Sequence, residues 1–142
     1  MKTAVYPGSF NPWHQGHSDI LRKALKVFDK VIVAVGRNPE KSFGEYNIYL
    51  LNTDFKKEVI SSQVETREFS ILLVDFIKNT NACAVIRGLR NGSDLQYEQN
   101  QQYWNEDLGL NIPTIYFICD RKLSHISSST IRAVNMIKGI NT

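Results

Sequence analysis

Short apolar runs alternate with helical spacings along this chain. Thr3-Ala4-Val5-Tyr6 reads as a first strand. Residues 17–28 follow as a helix, with Ile20, Leu21, Ala24, Leu25 and Phe28 on one face. Val31-Ile32-Val33-Ala34-Val35 is continuously apolar, which suits a parallel strand covered on both sides. Asn38-Pro39 and Gly44 mark a loop, and 47–62 predicts a helix. Residues 64–69 predict a strand, 71–79 a helix and 82–86 a strand. A polar helix follows over 94–108, a fifth strand over 114–118 and a last helix over 127–138. No repeat, low-complexity tract or linker interrupts the pattern. Strand-helix alternation of this kind predicts an α/β, Rossmann-like, doubly wound five-stranded parallel sheet with helices on both faces. Ligands of such sheets sit beyond the C-terminal strand ends, where the strand order reverses.

The 142 residues fit a single domain over 1–142 and suffice for a core without disulfides. No apolar run approaches the roughly 20 residues that span a bilayer. Met1 to Tyr6 runs into Pro7-Gly8 without the apolar stretch of a signal peptide, so the expected location is cytoplasmic, with no membrane partner. Cys83 and Cys119 lie in apolar runs and read as buried free thiols, too few for a zinc site. The net charge of +3 comes without a basic tail, which argues against a nucleic-acid partner. The same excess would serve a few cations gathered round one anionic small molecule.

Four segments at predicted strand ends carry the chemistry. The first is Gly8-Ser9-Phe10-Asn11-Pro12-Trp13-His14-Gln15-Gly16-His17. A helix N-terminus offers free N–H groups to phosphate. Gly8 and Gly16 let backbone approach a ligand, and a neutral imidazole still donates one hydrogen bond. A polar loop with surface histidines is the plainer reading. Zinc would need more than the one remaining His125. Neither G-x-G-x-x-G nor G-x-x-x-x-G-K-[ST] is present.

The second segment is Arg37-Asn38-Pro39-Glu40-Lys41, with Lys41 at the rim of the same crevice or simply solvated. The third is Arg87-Gly88-Leu89-Arg90, followed by Asp94, Tyr97 and Glu98. Its two guanidiniums either bracket phosphates or pair with Asp94 and Glu98. The fourth, Ile126-Ser127-Ser128-Ser129-Thr130, opens the last helix. One serine would be an N-cap, whereas four hydroxyls in succession suit terminal phosphates.

Together these segments resemble the HxGH nucleotidyltransferase superfamily, and most of all its phosphopantetheine adenylyltransferase family. The matching stretches run nearly end to end: 6–12, Gly16-His17, 38–41, Leu72-Leu73-Val74-Asp75-Phe76, 87–94, Tyr97-Glu98, Asn105 and 126–129. The resemblance implies that ATP and 4′-phosphopantetheine give dephospho-coenzyme A and pyrophosphate, with Mg²⁺ entering alongside ATP and no metal held by the protein. It implies His17, Lys41 and Arg90 as catalytic residues. ATP would be held by Gly8, Ser9, Phe10, His14, Gly16, His17, Gly88, Arg90, Glu98, Ser127, Ser128 and Ser129. The acceptor would be held by Ser9, Lys41, Leu72, Leu73, Arg87 and Asn105. A homo-oligomer is implied too, a hexamer in that family. His14 stands where the family commonly has threonine and sister families have histidine. Ser128-Ser129-Thr130-Ile131-Arg132 also resembles those sisters, so a nicotinamide mononucleotide adenylyltransferase is the rival. A nucleotide-binding protein without catalysis is the other.

Overall fold

Strand β1 (Thr3–Gly8) buries every residue from Thr3 to Pro7. Such a strand needs cover on both faces, and the computed structural model, which describes residues 1–37 and 62–139, supplies it. Helix α1 (Gln15–Leu25) is followed by β2 (Lys30–Gly36), β3 (Val64–Phe69) and the short α2 (Leu73–Lys78). Then come β4 (Ala84–Leu89), α3 (Gly92–Asp107), β5 (Thr114–Ile118), a single 3₁₀ turn (Arg121–Leu123) and α4 (Ser128–Ile137). The five strands are parallel in the order β3-β2-β1-β4-β5.

Strand periodicity divides the core in two. Ala4, Tyr6, Val31, Val33 and Ile86 face α1, meeting its Ile20, Leu21 and Ala24. Val5, Ile32, Ala34 and Val85 face the other way, onto Val74, Phe76 and Ile77 of α2 and onto Leu110. Helices therefore cover both faces, as the alternating pattern predicts.

Some boundaries differ from expectation. Strand β4 runs on to Leu89, so Arg87 and Gly88 belong to the strand rather than to the loop after it. The expected segment at 82–86 begins later, at Ala84, and Cys83 is exposed, whereas Cys119 is buried as expected. Helix α1 begins at Gln15 because the turn before it is closed by side chains, described below. Lys41 with its neighbours at 38–40, and the helix expected over 47–62, lie outside the described residues apart from Ser62.

One irregularity creates the site. β1 pairs with β2 along its whole length, from Thr3↔Lys30 to Gly8↔Val35. It pairs with β4 only at Ala4↔Ala84 and Val5↔Val85. Pro7, placed in a central strand, cannot donate to a ladder. It is tolerated because the ladder on the β4 side has ended before it. The two strands thus part at their C-terminal ends, at the point where the strand order reverses.

Candidate active site

The loop from β1 to α1 is built on rings. Phe10 is buried and takes a φ of 45°, a left-handed conformation that costs a non-glycine residue roughly 1–3 kcal/mol. Its ring holds it there, 5.1 Å from Tyr6, 4.8 Å from Trp13 and 4.9 Å from His17 between centroids. The Trp13 indole N–H donates to Ser18 Oγ at 2.7 Å. His17 therefore rests against a rigid aromatic wall.

The two histidines close the start of α1 on each other. His14 Nδ1 accepts from the Gly16 N–H at 3.1 Å, and His17 Nδ1 accepts from the His14 N–H at 3.2 Å. Their rings stack at 3.7 Å with 24° between planes. This is the reciprocal logic of a capping box, with imidazoles in place of hydroxyl and carboxylate. Gly16 makes room for it: a Cβ there would lie 2.9 Å from His14 Cε1. A ring nitrogen that accepts carries no proton, so both neutral rings hold theirs on Nε2. Burial, then the Arg90 charge, lowers His14 to about 4. Burial, then His14, Arg87 and Arg90, holds His17 well below the usual histidine range. Near neutral pH both are uncharged donors.

The two arginines have different partners. Arg87 donates from Nε and Nη2 to both oxygens of the buried Glu98 carboxylate, at 2.8 and 2.7 Å. Its Nη1 donates to the Pro7 carbonyl at 2.6 Å. It bridges the gap where β1 and β4 part. Arg90 sits at the surface, where Nε and Nη2 meet Asp94 at 3.0 and 3.1 Å. Both arginines thus make the carboxylate pairs that were the alternative to phosphate binding.

The serines are likewise partly engaged. Ser127 caps α4 by accepting from the Thr130 N–H at 3.2 Å. Ser128 Oγ donates to the Pro12 carbonyl at 2.8 Å, and Arg132 Nη1 to the Asn11 carbonyl at 2.5 Å. These last two bonds tie α4 to the histidine loop. On the far side of α1, Asp19 accepts from Lys23 at 2.9 Å and from the Asp120 N–H at 2.9 Å. They anchor the helix to the end of β5.

Two cavities open at the strand ends. The larger, about 490 Å³, is lined by all twelve residues expected to hold ATP, from Gly8 to Ser129. The smaller, about 310 Å³, is lined by Ser9, Leu73, Arg87 and Asn105 among those expected for the acceptor. They share Pro7, Gly8, Ser9, Arg87, Tyr97 and Glu98. Leu72 lines neither and is 56% exposed; as the residue just before α2, it lies outside the helix face that packs on the sheet. Sequence reading missed Arg132, Cys119 and Leu123 in the larger cavity, and Phe69, Gln101, Gln102 and Tyr116 in the smaller. The Ile-Arg step after the serine run was the one available signal for Arg132; the others are scattered single residues.

A parallel sheet with neutral histidine donors and serines at helix starts suits the binding of a phosphorylated ligand at its strand ends. The cytidylyltransferase-like family matches residues 5–134, and the chain belongs to it. A bifunctional NMN adenylyltransferase/ADP ribose pyrophosphatase from Francisella tularensis has the same fold, with a TM-score of 0.69 at 17% identity. The match covers 99% of this chain and 43% of that one. Among curated proteins, the phosphopantetheine adenylyltransferase of Clostridium botulinum strain Hall is 43% identical, over 98% of this chain and 85% of its own. That of Clostridium tetani is 40% identical over 98% and 87%. The chain belongs to the phosphopantetheine adenylyltransferase family. It is a nucleotidyltransferase of coenzyme A biosynthesis.

Proposed function

We propose that the larger cavity binds ATP and the smaller one the pantetheine arm, so that the two phosphates meet at their shared rim. The observation that carries this division is the rim itself: Pro7 to Ser9 and Arg87 border both cavities. The acceptor is already an anionic phosphate, so the reaction needs no general base. Positioning and stabilisation of developing charge suffice. His17, neutral and protonated on Nε2, donates to the α-phosphate as its charge grows. Arg90 and Ser127, Ser128 and Ser129 hold the remaining phosphates, and His14 holds His17. Arg87 and Ser9 hold the acceptor phosphate, with Lys41 joining them from outside the described residues. Leu73 and Asn105 line the arm.

Magnesium enters as part of the nucleotide substrate. The carboxylates of the larger cavity, Asp94 and Glu98, are each matched by a guanidinium. That donor set does not fit a cation held by the protein, whereas Mg²⁺ is commonly carried on substrate phosphates. We read 1–142 as one domain, since all described strands share one sheet. Among the described residues no helix is long and apolar enough to cross a membrane. The exposed Trp104 on α3 and Leu108 just after it agree with a homo-oligomer, which sedimentation would test.

The direct test is pyrophosphate release with ATP and a panel of phosphorylated acceptors. Dephospho-coenzyme A should form from 4′-phosphopantetheine. Formation of NAD from nicotinamide mononucleotide would favour the rival. Binding of both substrates without pyrophosphate release would make the chain a nucleotide-binding protein.

A further inference from the structure

The smaller cavity ends in a chain of side chains that the adenylyl-transfer chemistry leaves unused. Tyr116, on β5 opposite Arg87, lines the cavity with its ring half-buried. Its hydroxyl donates to Gln102 Oε1 at 2.6 Å. Gln102 Nε2 donates in turn to Glu106 Oε1, one turn further along α3, at 3.1 Å.

The polarity of this chain follows from its last member. A carboxylate only accepts, so Gln102 must turn its NH₂ toward Glu106 and its carbonyl toward Tyr116. That commits the single hydrogen of the Tyr116 hydroxyl. Burial, then the Glu98 charge, pushes the phenol upward, so it keeps that hydrogen. What Tyr116 offers the cavity is its lone pairs, made more basic by the bond it donates. The other walls include the apolar Phe69, Leu73 and Val85. Polar walls stand beside them, Gln101, Asn105 and Thr114 among these, so the cavity suits an arm of mixed polarity, and an N–H on that arm would find the Tyr116 lone pairs. The pantetheine arm carries two secondary amides, each with one N–H.

We propose that Tyr116, oriented by Gln102 and Glu106, determines acceptor specificity by accepting a hydrogen bond from an amide N–H of the acceptor's arm. The proposal rests on the assignment of the smaller cavity to the acceptor. It makes the bond between β5 and α3 a recognition device as well as a structural tie.

The experiment compares 4′-phosphopantetheine with two analogues, each having one amide N–H replaced by an ester oxygen. In the native enzyme one analogue should show a KM about fivefold higher, as expected for one neutral hydrogen bond. Tyr116→Phe should raise the KM for 4′-phosphopantetheine by about the same factor and abolish the preference for amide over ester. Its kcat and its KM for ATP should stay as they were. Gln102→Leu frees the hydroxyl hydrogen and should narrow the preference. A Tyr116→Phe enzyme that keeps its amide preference overturns the proposal, whether or not its thermal stability falls. Leu73→Asp tests the underlying assignment. If it leaves the acceptor KM unmoved, the smaller cavity is not the acceptor's. If it raises that KM while Tyr116→Phe does not, only the Tyr116 proposal fails.

Discussion

The two cavities are assembled in different ways. The larger draws on short stretches at strand ends and helix starts: residues 8–10, His14, Gly16 and His17, 87–90 and 126–129. Some of its polar groups find partners close in sequence, as in the histidine pair at 14 and 17, while Ser128 and Arg132 reach back to the loop before α1. The smaller collects residues from many separate elements, among them Gly36, Phe69, Leu73, Asn105 and Tyr116. Phosphates need several N–H and O–H groups converging on one point, and a helix start supplies them from neighbouring residues. An extended arm needs a long wall, and only packing between elements can build one. The larger cavity is thus written in part locally, in its histidine turn and serine cap, whereas the smaller is a product of the sheet.

The sharpest way to break this contrast is at His17. His17→Ala should lower turnover on the order of 10²–10³-fold, or about 3–4 kcal/mol, as the loss of one preorganised donor. Near-normal turnover with the fold intact would remove His17 from the chemistry.

Next comes the rim. Arg87→Met strands the buried Glu98 and should cost about 3 kcal/mol of stability by denaturant unfolding. Arg90→Met, at an exposed pair, should cost under about 1 kcal/mol. Equal losses would show that Arg87 is not the clasp across the parting strands.

The last test is of pH. Both histidines have folded values below their unfolded value of about 6.5, with His14 at about 4. Between those values the unfolded chain binds more protons. Stability is therefore full above about pH 6.5 and falls as the pH drops toward 4. Thermal melts from pH 7 to pH 5 should show a modest decline that His14→Asn, which keeps a side-chain cap, reduces. A decline of unchanged size in that variant would assign it to other groups.

How much of this was legible in advance follows the same division. Strands over 64–69 and 114–118 match residue for residue, because alternation and flanking turns bracket them tightly. Arg87 was misplaced into a loop, because polar residues at the end of an otherwise apolar strand look like its termination. Its pairing with Glu98 was one of two open readings. Nothing local could choose between them, since charge count is the same either way. Leu72 was taken with Leu73 as a pair, but consecutive residues at a helix start point in different directions.

The amino-acid sequence by itself determined the alternation of elements, the parallel sheet and the polar segments at its strand ends. Those follow from periodicity and turn chemistry, which act over a few residues. Tertiary structure alone decided that β1 and β4 part after Val5, and that Arg87 spans the opening. It alone decided that Gln102 turns Tyr116 into an acceptor. Each of these depends on which atoms of distant segments meet, and hydrogen-bond direction is settled only when every partner is in place.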